Sequence, residues 1–290
     1  MIKATELEFT GERFTPECER EIWYEHYHRY VFVKNLVQDK VVLDVASGEG
    51  YGSFLLADTA KMVTGVDIDN ASIEHAKGKY NKDNLSYQQA SALELPFDDN
   101  HFDVIVSFET LEHLAQHQEM LAEFNRVLKT DGILIISTPD KKHYSDDTGF
   151  DNEFHVKELY KHEFKALLDK HWSAQKWYAQ GMAFHSIMQE LESKELSYQS
   201  EILSDKTLIQ NGNLIKPIYY VVIATQKQQN LPQSVSLHLF ADKSQSVYGH
   251  YNAVIREHIN YLNKYNQLNE SVQKLIKTPI LGRLIKKMLK

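Results

Sequence analysis

The stretch Val41-Val-Leu-Asp-Val-Ala-Ser-Gly-Glu-Gly50 passes from an unbroken apolar run into a turn of small residues. A short run without polar alternation is what a central parallel strand needs when both its faces are covered. The glycines let the backbone turn sharply and leave room where a side chain would collide with a bound ligand. The next apolar run, Met62-Val-Thr-Gly-Val66, ends on Asp67, placing a carboxylate where it accepts hydrogen bonds from both hydroxyls of a ribose. Helices are expected over 51–59 and 71–80, so this part of the chain reads as a βαβ unit.

Outward from this unit the alternation continues. Strands are expected over 86–89, 102–107 and 132–137, with a helix over 120–128 between the last two. Strands alternating with helices predict an α/β fold: a doubly wound, Rossmann-like sheet with right-handed crossovers. Upstream, aromatic and aliphatic residues at helical spacing over 22–37 predict a helix, and residues 1–38 read as an N-terminal cap or lid. Downstream, a helix is expected over 158–170 and strands over 175–178 and 218–225. The domain reads as 39–228 with an insertion over 181–217 that is expected to shape the choice of acceptor. A linker follows over 229–250, then a helical tail over 251–290.

A chain of 290 residues with 42% hydrophobic content buries a full core. One cysteine, Cys18, excludes a disulfide framework and a cysteine zinc cluster, as expected of a cytoplasmic protein. No run approaches the ~18 apolar residues of a membrane span. The net charge of -8 argues against a nucleic-acid partner. No pair among the fourteen histidines sits in a defined metal motif, so no metal is expected.

A glycine-rich turn is a weak signal alone. Here it is followed, in order, by Leu95-Pro-Phe-Asp98, Phe102-Asp-Val-Ile-Val-Ser107, Leu111-Glu-His113 and the run from Leu128 to Pro139. With Asp44 before the glycines, this series resembles the class I S-adenosylmethionine-dependent methyltransferases over residues 39–139. The resemblance implies a seven-stranded sheet and S-adenosyl-L-methionine as cofactor. Asp44, Ala46, Ser47, Gly48 and Gly50 would form the turn under its methionine part, Asp67 would meet the ribose and Ile68 the adenine face. Ser91 and Ala92 would border the adenine edge, with Phe108 as a further contact. Ala46 stands where the family has a glycine, and Ser91 where it commonly has an aspartate. Thr10-Gly-Glu-Arg-Phe-Thr-Pro16 and Glu25-His-Tyr-His-Arg-Tyr30 look like the subset associated with bacterial surface-polysaccharide genes.

Methyl transfer to a hydroxyl needs a group to take its proton, and a histidine suits that role near neutral pH. His113, just past the fourth strand, and His155, after the fifth, are the candidates; for each a purely structural role stands beside the catalytic one. The expected acceptor is a sugar hydroxyl of a bacterial surface glycan or its precursor. The alternatives are methylation of an amino-sugar nitrogen or small metabolite, and a non-catalytic scaffold with a degenerate pocket. In the tail, Tyr251, His258, Tyr265 and Val272 recur in a heptad seam with Val254, Tyr261, Leu268 and Leu275, which suggests a homo-oligomer. Residues 277–290 carry five basic residues and no acid along an apolar face. That composition suits peripheral contact with an anionic membrane at its inner face, or packing on the protein's own domain.

Overall fold

The computed structural model describes residues 21–188, 201–204, 207–210 and 215–278. The motif over 10–16, Arg13 and Cys18, about half of the insertion, and the basic stretch beyond Thr278 lie outside the described residues.

The chain divides into two units, residues 1–239 and 240–290. In the first, α1 (Glu21–Val33) precedes β1 (Val41–Val45), α2 (Tyr51–Leu56), β2 (Met62–Asp67), α3 (Asn70–Lys79) and β3 (Leu85–Gln89). Then follow β4 (Phe102–Ser107), α4 (His117–Val127), β5 (Leu128–Pro139), α5 (Lys161–Leu168), β6 (Ala174–Gln180), β7 (Glu201–Ser204), β8 (Thr207–Gln210) and β9 (Tyr219–Thr225). Seven strands form one sheet in the order β3-β2-β1-β4-β5-β9-β6, and β7 pairs with β8 as a separate antiparallel hairpin. The β1–β2, β1–β4, β2–β3 and β4–β5 pairs are parallel, and only β9 runs antiparallel to its neighbours. The expected seven-stranded Rossmann-like sheet is therefore present.

The apolar runs face two cores at once. Leu43, Ile105, Leu134 and Val222 point to one side, against Phe124 of α4, Phe164 of α5 and Trp172. Their neighbours Val42, Val104, Ile135 and Ile223 point to the other, against Val33 of α1, Val37 and Leu56 of α2. Successive strand residues alternate faces, so covering both faces demands an apolar residue at every position.

Some helices prove shorter than the hydrophobic pattern suggests. The first ends at Val33 and tightens into a 3₁₀ turn over Lys34–Val37, and α5 covers only Lys161–Leu168. The larger difference lies over 229–239, expected to be linker. Leu231 packs against the core on the α1 side, Lys176 Nζ donates to the Pro232 carbonyl at 2.6 Å, and Tyr178 shares a 2.6 Å hydrogen bond with Ser234. A polar, proline-containing composition resembles a linker whether or not a neighbouring strand offers it partners.

The second unit contains α6 (Ser246–Ile276), a 31-residue helix beginning five residues before the heptad pattern. Its seam residues Tyr251, Val254, Tyr261, Tyr265, Leu268 and Leu275 are exposed. Among the described residues no helix is long and apolar enough to cross a membrane.

The contact between α1 and α2 is tight enough to test. A Cβ on Gly52 would fall inside the Tyr30 ring. Alanine favours a helix over glycine by about 1 kcal/mol, but overpacking typically costs ~1–3 kcal/mol. Gly52→Ala is therefore expected to lower stability in urea unfolding; a variant more stable than the wild type would contradict the packing described.

Candidate functional site

Strand order reverses between β1 and β4, and ligands of open α/β sheets sit at the carboxyl ends of the strands at such a switch. Three segments meet there: the turn after β1, the end of β2, and the loop after β4 that forms a 3₁₀ turn over Leu111–His113.

The turn is held from below and from the side. Ser47 N–H donates to the Val66 carbonyl at 2.9 Å, Gly50 N–H to the Ser47 carbonyl at 3.1 Å, and Gly48 N–H to Asp67 Oδ2 at 2.8 Å. Ala46 adopts a left-handed φ of 59°, so the position where the resembling family carries glycine has the conformation that favours glycine. A Cβ on Gly48 would meet nothing within 4 Å, which leaves open space beside the turn. Glu49 faces the other way, its carboxylate buried against His75, Lys79 and Tyr80.

Asp44 lies beneath the turn and not in the site. It is fully buried, with Oδ2 accepting from Ser53 Oγ at 2.6 Å and Oδ1 from the Tyr30 hydroxyl at 3.2 Å. Burial, opposed by those two hydrogen bonds, raises its carboxyl pKa to about 7. The expected cofactor contact thus gives way to a positioning role. Phe108 is likewise packed, edge-on to Tyr30 with ring centroids 5.1 Å apart. The sequence placed both residues at strand ends, but it did not show that α1 covers them.

The remaining expected residues reach the edge. Asp67 is half-buried at the end of β2, and its Oδ1 accepts from Asp69 N–H at 2.9 Å. Ile68 beside it is 71% exposed, an apolar face presented to solvent. Ala90 N–H donates to the Asp67 carbonyl at 3.0 Å, which sets Ser91 and Ala92 beside that strand end.

Arg29 of α1 is a site residue that sequence reading missed. It is 1% exposed; Nη1 donates to Gln180 Oε1 at 2.9 Å and lies 3.5 Å from Glu109, while Nε and Nη2 are buried with no hydrogen-bond partner. Buried polar groups are nearly always paired, so an orphaned guanidinium fork points to an absent anion. Ser47 Oγ is buried and unpartnered as well. The signal available in the sequence was an arginine on the aromatic face of α1, in the segment already read as a cap.

His113 and His155, 42 positions apart, come together with ring centroids 5.2 Å apart. The His113 Nδ1–H donates to the Phe154 carbonyl at 3.0 Å, which places the lone pair on Nε2. The His155 Nδ1–H donates to Glu158 Oε1 at 2.6 Å, and Asn152 Nδ2 lies 3.0 Å from its Nε2. Glu112, 1% exposed, accepts from Thr138 Oγ1 at 3.1 Å through Oε2, and burial together with neighbouring Glu109 pushes its carboxyl pKa well up. Glu112, His113 and His155 each offer a ligand atom within 4.8 Å of the others. The absence of a metal motif in the sequence therefore did not foretell the three-dimensional arrangement, because the set is assembled from two loops.

Beside His155 opens a cleft of about 280 Å³ lined mainly by hydrogen-bonding side chains, Lys141, Ser145, Asp151, Asn152, Lys157 and Glu158, with Val156 the apolar member. A larger groove of about 630 Å³ lies along Gln116, His117, Glu163 and Lys170; none of the cofactor-turn residues lines it.

Residues 43–136 match the methyltransferase domain family. Over this stretch, about a third of its length, the chain is similar to that family. A "probable S-adenosylmethionine-dependent methyltransferase" of Mycolicibacterium smegmatis is 34% identical over 167 residues, which cover 56% of this chain and 64% of that one. A ubiquinone biosynthesis O-methyltransferase of Coxiella burnetii is 34% identical over 112 residues, covering 38% of this chain and 48% of its own. The chain thus spans less than two thirds of the length of these curated relatives. A crystal structure from Bacillus halodurans shares the fold at 16% identity and a TM-score of 0.50, over 68% of this chain and 98% of that one.

The cofactor of this domain class is S-adenosylmethionine, and the residues present fit it. The open side of Gly48, the exposed Ile68 and the unpartnered nitrogens of Arg29 meet its needs in turn: a close backbone approach, an apolar face for adenine, and a cation for its carboxylate. In the methyltransferase domain, Asp67 would hold the ribose, with Ser91 and Ala92 beside the base.

The buried acid beneath the turn has a pH signature. The folded pKa of Asp44 is raised from 3.8 to about 7, so its favourable contribution is full below about 3.8 and is lost as pH rises through about 7. Asp44→Asn removes that dependence. The thermal midpoint of the variant relative to wild type is expected to climb between pH ~4 and ~7; a flat difference across that range would refute the buried-acid assignment.

Proposed function

We propose that the whole chain is an S-adenosylmethionine-dependent O-methyltransferase acting on a sugar hydroxyl of a bacterial surface glycan or its precursor. The observation that carries this reading is the convergence of His113 and His155 beside a cleft lined with hydrogen-bonding side chains, at the sheet edge that holds the cofactor turn. A polar lining suits a polyhydroxylated acceptor better than an apolar one. The O-methyltransferase among the relatives supports transfer to oxygen. The N-terminal motif that looks like the surface-polysaccharide subset supports the glycan.

The bound cofactor supplies a methyl group on a positively charged sulfur. The protein's part is alignment and proton handling. Arg29 and Asp67 fix the two ends of the cofactor, and α1 excludes water by lying over the turn. The cleft residues orient the acceptor, and His113, whose Nδ1–H is held by the Phe154 carbonyl, is the group assigned to take the hydroxyl proton through Nε2. The ordered turn and the orphaned Arg29 nitrogens favour a working pocket over a degenerate scaffold.

The exposed seam of α6 belongs to the same proposal: it pairs with a second copy of the chain, since an isolated amphipathic helix gains its stability by burying its apolar stripe. Leu268→Glu is then expected to reduce the molar mass in light scattering, and an unchanged mass would remove this role.

Calorimetric titration with S-adenosylhomocysteine tests the core of the reading. Saturable binding, weakened at least about tenfold by Asp67→Ala and by Arg29→Ala through loss of charge-assisted hydrogen bonds, is expected; no binding by the wild type would sink it. With a glycan acceptor in hand, His113→Ala is expected to lose turnover by about 10²–10⁴ while keeping cofactor affinity. Full turnover in that variant would point to an amine acceptor, which needs no dedicated base.

A further inference from the structure

We propose that Glu112, His113 and His155 form a binding site for one divalent cation of the zinc or manganese type. The inference deepens the reading of the chain as an O-methyltransferase and rests on it for the use the ion is put to, though not for the site itself.

The donor set is two imidazole nitrogens and one carboxylate oxygen with ligand atoms within 4.8 Å of one another. Such a set suits zinc, manganese or iron(II) rather than calcium, which prefers oxygen ligands alone, and it leaves coordination positions open. Three observations distinguish it from a chance cluster. First, Glu112 Oε1 is buried without any hydrogen-bond partner, in a side chain 1% exposed, and lies 3.9 Å from His113 Nε2. A buried carboxyl oxygen with no hydrogen-bond partner, set beside an imidazole nitrogen, leaves two potential ligand atoms together that a cation between them would satisfy. Second, each of the three ligands is oriented from behind. His113 Nδ1–H donates to the Phe154 carbonyl, His155 Nδ1–H to the Glu158 carboxylate at 2.6 Å, and Thr138 Oγ1 to the other oxygen of Glu112. Partners of this kind fix the ring tautomer and raise ligand basicity at metal sites. Third, Val156 N–H and Lys157 N–H both donate to the Glu112 carbonyl, at 2.9 and 3.0 Å, tying the loop that carries His155 to the residue before His113.

Ligands about 2.1 Å from a tetrahedral ion stand roughly 3.4 Å apart, so the three must draw in by about an ångström. Asn152 must also give way, because its Nδ2 donates to His155 Nε2 at 3.0 Å. Its amide serves as a placeholder for the ion.

Of the three ligands His155 also lines the cleft of about 280 Å³, so an acceptor held in that cleft would lie beside the ion. An acceptor hydroxyl bound there would lose its proton to solvent water at a pH where a free hydroxyl keeps it, because the cation lowers its pKa. The resulting alkoxide oxygen forms its bond to the methyl carbon as the carbon–sulfur bond breaks, and the sulfonium leaves as a neutral thioether. With the ion bound, the two imidazoles act as ligands and not as the base.

The test is titration of the chelator-stripped full chain with Mn²⁺, followed by the paramagnetic signal of the free ion, and with Co²⁺, followed by its visible absorption. One saturable site is expected, with nitrogen-ligand absorption bands for Co²⁺. Its affinity should fall at least about tenfold in His155→Ala and in His113→Ala, stay unchanged in His171→Ala, and rise or hold in Asn152→Ala. Thermal unfolding of each variant confirms that it is folded. Glu112→Gln, which keeps the buried shape, provides a second route to the same loss. No saturable binding, or equal binding by wild type and the double histidine variant, would overturn the site. Binding of S-adenosylhomocysteine to the same samples separates the two readings. Cofactor binding without Mn²⁺ binding defeats the metal site alone, and Mn²⁺ binding without cofactor binding leaves the site standing while the methyl-transfer reading falls.

Discussion

The carboxylate of Asp44 lies at the end of β1 out of reach of water, and the ligand edge takes its shape from how that group is accommodated. Burying a carboxyl group costs several kcal/mol unless it is hydrogen-bonded or neutral. The protein meets that cost with two hydroxyls from different elements, Tyr30 of α1 and Ser53 of α2. One acid thereby joins α1, β1 and α2. The Tyr30 ring packs edge-on to Tyr51 and Phe108 and fills the space that Gly52 leaves. Placement of α1 follows from this junction, and with it the burial of Arg29.

A second carboxylate acts in the opposite sense. Asp67 accepts from the backbone of Gly48 and Asp69, so it clamps the turn to the neighbouring strand while standing at the edge itself. Asp44 works from beneath and Asp67 from the side, and between them the turn keeps Ala46 in a left-handed conformation that a non-glycine residue adopts only at some energetic cost. Backbone strain is retained where surrounding contacts over-determine the geometry, as the hydrogen bonds from Ser47 to Val66 and from Gly48 to Asp67 do at this turn.

The histidine pair shows how a site arises between segments with no common pattern. His113 belongs to a one-turn helix after β4, and His155 to a loop after β5 whose backbone donates to the Glu112 carbonyl. The parallel β4–β5 pairing brings the two loops to the same edge. Chemistry of a sheet fold concentrates there because every parallel strand delivers its following loop to that side.

The sequence by itself determined the sheet and its ligand edge. Doubly covered strands must be apolar at every position, turns need glycine, and these local demands are written in runs such as 41–50 and 62–67. It also set Asp67, Ile68, Ser91 and Ala92 at the carboxyl ends of strands, because each follows directly from its position in or after a strand. Only the tertiary structure decided that Asp44 and Phe108 are covered, that Arg29 points inward with unpartnered nitrogens, and that 229–239 packs back on the domain. It alone decided that Glu112, His113 and His155 converge. Periodicity reports which face of an element is apolar, whereas these outcomes depend on which distant element lies against that face. That is set by packing between segments tens to hundreds of residues apart.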